Sequence, residues 1–289
     1  MKARQNMATL TALHFYPIKS CAGIALREAT LTPAGLMSEH LYDREWMLID
    51  AQGQFLTQRE YPHMALITPR IRSDVLELSA PGMLTLELPL DLADPDQAPT
   101  REVVIWEERV KAYDCDEVTA TWFSKAIGAP CRLVRAHPHA SRHSNPRWVG
   151  SLPAPTLFAD GYPLLLISQG SLDDLNTRLI AAGRPALPMN RFRPNIVIDG
   201  IPAFEEDFAE HIDFGNARIK PVKPCPRCPI PSIDQLSGLV GPDPLDILQH
   251  YRSNALLDGG ISFGMNSALL DGEGAALRLG QAVQVKLAL

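Results

Sequence analysis

Residues 223–229 read Lys-Pro-Cys-Pro-Arg-Cys-Pro: two thiols three positions apart, with Lys223 and Arg227 beside them. Such a pair suits three chemistries: half of a zinc site, a redox couple, or the seat of one reactive thiolate. A structural zinc site needs four ligands. Cys21, Cys115 and Cys131 stand alone in the sequence, so zinc would depend on residues gathered by the fold. An iron–sulfur cluster meets the same deficit. A thioredoxin-like pair opens a helix after a strand, and prolines at 224, 226, 229 and 231 argue against a helix starting there. Two readings remain. One is a thiolate whose pKa is lowered by Lys223 and Arg227, suited to a soft metal centre. The other is a buried structural cysteine in a proline-rich turn.

Two more segments place cations at strand junctions. In Tyr16-Pro17-Ile18-Lys19-Ser20-Cys21 a lysine and a hydroxyl lie just beyond a strand. In Arg191-Phe192-Arg193-Pro194-Asn195 two arginines precede a buried strand. Lysine and arginine among hydroxyls and backbone amides suit a phosphate or another anion, although each alone reads equally as a partner of surface carboxylates. Arg44, between Asp43 and Glu45, reads by itself as a solvated ion pair. Together these junctions and the thiol motif point to a pocket for an anionic ligand. His137, His139 and His143 read as solvent-exposed, because Arg135, Arg142 and Arg147 would oppose a cation there. No glycine-rich phosphate loop, dinucleotide fingerprint or nucleophile elbow is present in the sequence.

The elements that must hold these residues are mostly short strands. Leu10–Tyr16, Ile24–Leu31, Glu45–Asp50, Gln54–Gln58, Val75–Leu78, Leu84–Leu88, Val103–Trp106 and Val110–Tyr113 read as strands, with hairpin turns at Ala51-Gln52-Gly53 and Pro81-Gly82. Glu117–Ile127 switches to helical period and stops at Gly128. Residues 137–155 read as a long loop. Leu164–Ile167 reads as a buried strand, followed by a helix opened by the capping-box pattern Ser171-Leu172-Asp173-Asp174. Strands at Asn195–Ile198, Ala217–Lys220, Ile261–Phe263 and Val283–Leu287 and a helix near Leu245–Tyr251 complete the chain. The fold class is mainly β with several helices (α+β), rich in β-barrel.

Composition narrows the class. A 289-residue chain with 46% hydrophobic and 21% charged residues buries a full core and is not disordered. A net charge of -6 argues against bulk nucleic-acid binding. Five scattered cysteines indicate a reduced compartment. With neither a spanning apolar run nor a secretory signal pattern, the expectation is a cytoplasmic protein with no membrane partner.

Several of these segments resemble one family in consistent order from about residue 8 to 289. Residues 13–23 (LHFYPIKSCAG) resemble the opening of the N-terminal β-barrel domain that precedes MOSC domains. Residues 191–197 (RFRPNIV) and 223–228 (KPCPRC) resemble two specific motifs of the MOSC domain itself. Asp43-Arg44-Glu45-Trp46, residues 162–171 and Phe263-Gly264-Met265-Asn266 fit between them. The family, which includes the mitochondrial amidoxime-reducing component and its bacterial relatives, implies a MOSC N-terminal β-barrel domain over 8–130 and a MOSC domain over 131–289. It further implies a molybdenum cofactor (Mo-molybdopterin), with Cys228 as metal ligand and catalytic residue, and Lys19, Ser20, Arg44, Arg193, Asn195 and Arg227 as cofactor contacts. The implied reaction is reduction of small N-hydroxylated compounds. No Cys-x4-Cys-x2-Cys run is present, so electrons are expected from a separate flavin or iron–sulfur protein. Pro229-Ile230-Pro231-Ser232 stands where many relatives have threonines. Alternatives are a non-catalytic carrier of cofactor or sulfur and a zinc or iron–sulfur protein using the paired cysteines.

Overall fold

The computed structural model describes residues 5–91, 96–137 and 142–288. The chain opens with β1 (Gln5–Phe15), β2 (Ile24–Leu26), β3 (Glu28–Thr32), β4 (Gly35–Ser38), β5 (Leu41–Tyr42) and β6 (Trp46–Ile49). Three hairpin strands β7 (Thr68–Arg72), β8 (Val75–Ser79) and β9 (Leu86–Pro89) follow, then the hairpin β10 (Thr100–Ile105)–β11 (Glu108–Asp114), helix α1 (Glu117–Ile127) and β12 (Arg132–Ala136). The remainder comprises α2 (Pro146–Val149), β13 (Leu164–Ser168), α3 (Gln169–Ala181), β14 (Ile196–Asp199), β15 (Ala209–Asp213), β16 (Arg218–Pro226), α4 (Leu245–Leu248), β17 (Ser262–Asp271), β18 (Ala276–Arg278) and β19 (Ala282–Leu287). The architecture is mainly β with several helices, as the sequence pattern indicates.

Its centre is a closed seven-stranded barrel, in the order β1–β14–β13–β17–β16–β15–β19 and back to β1. Closure removes the exposed sheet edges that an open sheet would present. The burial pattern of β1 shows how the sequence fits. Ala8, Leu10, Leu13 and Phe15 are buried, an alternation of two interrupted once, and the interruption coincides with a bulge against β14 between Leu10 and Ala12. β13 and β14 pair in parallel, the connection running through α3.

The two halves of the chain exchange strands. β1 from the first half closes the barrel, and β18 from the second pairs with β3 in the four-stranded sheet β18-β3-β4-β5. The sheet β10-β11-β12-β6 carries α1 across its end, where Asp116 accepts from the Thr119 amide and Gly128, at φ 76°, caps the C-terminus. Beyond residue 130 the chain returns into this sheet, β12 pairing with both β11 and β6.

Several local expectations shift. Helix α3 begins three residues earlier than its capping-box pattern indicates, because Ser168 is the N-cap and accepts from the Ser171 amide. The Ser171 hydroxyl instead donates to the buried Glu206 carboxylate at 2.6 Å. Residues 137–155 contain the single turn α2, and the helix near 245–251 is confined to Leu245–Leu248. β16 runs on into the proline-rich motif to Pro226, its register shifting at Pro221/Lys223 and again at Pro224/Pro226. No described helix is long and apolar enough to cross a membrane.

Candidate functional site

One cavity of about 740 Å³ lies where the end of β1, the β13–β14 edge of the barrel and the end of β16 meet the first-half loops. All seven residues implied by the sequence motifs line it: Lys19, Ser20, Arg44, Arg193, Asn195, Arg227 and Cys228. Positions separated by more than 200 residues in the chain therefore share one wall.

The floor is built on Tyr16, directly after β1. Its ring is flanked by two guanidinium groups, Arg44 and Arg193, each 4.3 Å from the ring centroid. Its hydroxyl donates to the Pro194 carbonyl at 3.1 Å, and burial pushes the phenol up to about 12 against the pull of both arginines. Gly23 permits this packing, since a Cβ there would lie 2.5 Å from Tyr16 Cε1. Ser20, Arg44 and Arg193 have φ of 65°, 52° and 55°. Left-handed backbone is uncommon for such residues and collects where surrounding structure over-determines a functional geometry.

Arg44 is not a solvated pair. Asp43 is 2% exposed, accepts from the Tyr16 amide at 2.8 Å and holds the Arg44 guanidinium. Arg44 also donates to Asn195 Oδ1 at 3.2 Å. Asn195 is itself 1% exposed; Oδ1 accepts from the Leu165 amide and Nδ2 donates to the His14 carbonyl. These bonds give Asn195 the means to orient Arg44 and to tie β1 to β13. Lys19 is buried and donates to the Phe158 carbonyl at 2.9 Å and to Asp160. Burial holds the Lys19 ammonium below its usual range, with Asp160 opposing that effect. The Asp160 carboxyl, exposed to solvent at the cavity, sits below its usual value, pulled down by Lys19 and the nearby Arg44 and Arg59.

Two donors in this cradle lack protein partners: Nη2 of Arg193 and Nε of Arg227 are buried and unbonded. Burial holds Arg193 below its usual range, with Tyr16 partly offsetting this. An unsatisfied buried donor costs about 1–3 kcal/mol, a cost an anion in the cavity would remove. The cationic, donor-rich wall fits a phosphate, and the thiol at its end fits a soft metal.

The thiol motif behaves differently from expectation in one respect. Arg227 Nη1 reaches Cys225 Sγ at 3.2 Å, and Lys223 lies over the rings of Trp148 and Tyr162 at 5.3 and 5.7 Å. Burial raises the Cys225 thiol despite Arg227, so no thiolate with a lowered pKa arises at that position. Cys228, four residues past the Pro224 carbonyl and outside the strand, lines the same cavity. Among the described residues no group of three or more His, Cys, Asp and Glu side chains gathers around the pair. His143 is exposed at the cavity edge, and His139 lies outside the described residues.

Four contributors escaped sequence reasoning. Asp160 gave no local signal. Gln58 donates to the Ser20 carbonyl at 2.7 Å and pairs reciprocally with Gln235, which also accepts from Arg193 at 3.4 Å. Tyr16 sat inside a noted motif but read only as a strand end.

The model of the MOSC N-terminal beta barrel domain matches residues 7–130, and that of the MOSC domain matches residues 153–284. Mitochondrial amidoxime reducing component 2 of Bos taurus is 33% identical over 252 residues, spanning 86% of this chain and 73% of that protein. Mitochondrial amidoxime-reducing component 1 of Homo sapiens is 34% identical over 253 residues, with the same coverage. The molybdenum cofactor sulfurase of Homo sapiens is 33% identical over 244 residues, 79% of this chain but 27% of that protein. With both models matched in sequence and relatives aligned over most of its length, the chain belongs to the MOSC family, an N-terminal MOSC β-barrel segment followed by a MOSC domain.

Proposed function

We propose that this chain binds a molybdenum cofactor in the cavity and reduces the N–O bond of small N-hydroxylated compounds, using electrons from a separate donor protein. The observation that carries the reading is the convergence of Cys228 with Lys19, Arg44, Arg193 and Arg227 on one cavity, two of the arginines holding buried unpartnered N–H groups. Lys19, Ser20, Arg44, Arg193 and Arg227 would hold the phosphate and pterin, Asn195 would orient Arg44, and Cys228 would ligate the metal. When bound, the cofactor supplies a two-electron centre able to accept an oxygen atom. The chain's own residues orient the bound groups, exclude water and keep positive charge beside developing negative charge. The relatives named as amidoxime reducing components support this reading, as does their 73% coverage. We place the division between the halves at 130/131, with the cavity at their junction.

A carrier role is the second reading, favoured by the similarity to molybdenum cofactor sulfurase. Protein made in a molybdopterin-competent host separates the two. Under the first reading it contains molybdenum and reduces an amidoxime with reduced dye; Cys228→Ala abolishes the reduction and Cys225→Ala leaves much of it. Equal loss from both substitutions would sink the single-ligand assignment. Molybdenum-loaded protein that turns over no N-hydroxylated compound would establish the carrier reading.

A further inference from the structure

The cavity wall carries more positive charge than one phosphate requires. Six cations line it (Lys19, Arg44, Arg59, Arg193, Lys223 and Arg227) against two carboxylates, Asp160 and Glu108. Glu108 is engaged by Arg142, whose side chain is 3% exposed, at 2.9 Å. In the inner cradle Asp160 offsets Lys19 and Asp43 offsets Arg44, leaving the charges of Arg193 and Arg227. A phosphate monoester, at about −1.5 to −2 near neutral pH, balances those two.

Arg59 and Lys223 remain. Among the described residues neither has a carboxylate within ion-pair distance. Both lie over rings: Arg59 over Trp106 at 5.1 Å, with its Nε donating to Thr57 Oγ1 at 3.2 Å and its Nη groups left for a ligand, and Lys223 over Trp148 and Tyr162. A stacked guanidinium keeps its N–H edge available for a planar anion. Trp106 stands at the β10–β11 turn with φ 57°, is 45% exposed and is braced edge-on by Phe55 at 4.9 Å. An exposed aromatic held in left-handed backbone at a cavity rim is uncommon and presents a flat apolar wall.

We propose that Arg59 and Lys223, one from each half of the chain, form an anion subsite in the more exposed part of the cavity, with Trp106 as its wall, selecting N-hydroxylated aryl compounds that carry a carboxylate. This rests on the cavity being the reductase site described above. The subsite sets specificity and takes no part in the N–O chemistry.

The test compares benzamidoxime with 4-carboxybenzamidoxime, and by calorimetry their amidine products, on the cofactor-loaded protein at low and high salt. The wild type is expected to favour the carboxylate by roughly tenfold in kcat/KM and in binding, less at high salt. Arg59→Gln and Lys223→Gln each shrink the ratio several-fold, the double variant brings it near one, and Arg59→Lys restores part of it. A wild-type binding ratio near one, or one that neither substitution changes, overturns the subsite. If neither amidoxime is reduced while the binding preference and its loss persist, the reductase reading fails and the subsite stands.

Discussion

Replacing Arg193 by Met separates a residue that waits for an anion from one that merely holds the fold. Arg193 is 9% exposed, its Nη2 has no partner, and its Nη1 bond to Gln235 is long at 3.4 Å. Methionine has similar length, no charge, and the same access to the left-handed backbone that Arg193 occupies. Removing an unsatisfied buried N–H returns about 1–3 kcal/mol. Losing the guanidinium over Tyr16 costs about 0.5–2 kcal/mol, part of it recovered by the thioether against the ring. The net for cofactor-free protein is a stabilisation of about 1 kcal/mol, or an increase in Tm of about 1–2 °C for a chain of this length. For cofactor binding the sign reverses. Each charge-assisted hydrogen bond to phosphate contributes about 1.5–3 kcal/mol, so affinity falls about 10- to 150-fold. The assay is calorimetric melting of both proteins made without molybdopterin, and molybdenum per chain in both made with it. A variant that melts several degrees lower and retains full molybdenum would refute the reasoning.

Gly264, at φ 78°, faces Leu166 and Ile167 so closely that an alanine Cβ would lie 2.8 Å from the Leu166 carbonyl oxygen and 2.6 Å from Ile167 Cγ1. Gly264→Ala is expected to cost about 2–4 kcal/mol in denaturant unfolding, from backbone strain plus overpacking at the β13–β17 seam. The Lys19–Asp160 pair is expected to show in the pH dependence of melting. The Asp160 value is lowered in the folded state, so its stabilisation is present above the ordinary carboxylate value of 3.8 and is lost as pH falls through the lowered one. The melting advantage of wild type over Asp160→Asn should therefore hold at neutral pH and shrink only below 3.8; a difference that stays constant through the acid range would exclude the pair as its source.

Local patterns that agree with their surroundings were legible. Glu117–Ile127 forms α1 with both ends where periodicity and Gly128 place them, and the β8–β9 hairpin follows alternation. Expectation failed where a partner lies far along the chain. Ser171 fits a capping box by itself, but Glu206 takes its hydroxyl and leaves the cap to Ser168. The strand read over Ala217–Lys220 runs on to Pro226, β16 accommodating its prolines at register shifts against β17. The site motifs showed which residues carry charge and thiol. The partners of those residues stayed hidden, since Asp160, Gln58 and Gln235 meet them only in the folded chain.

The placement of β1 has a consequence for how the protein matures. It precedes the other described strands in the chain, yet it lies between β14 and β19, and Asn6 pairs with Val285. At typical synthesis rates its last partner emerges on the order of 10–60 s later. Lys19, Ser20 and the Tyr16 floor follow β1 directly, and β1 is held on both sides only once β14 and β19 have formed. A partly synthesised or C-terminally clipped chain could carry the thiol motif and still be unable to retain an anion. Retention of an anion in the cavity would thus report that the barrel has closed.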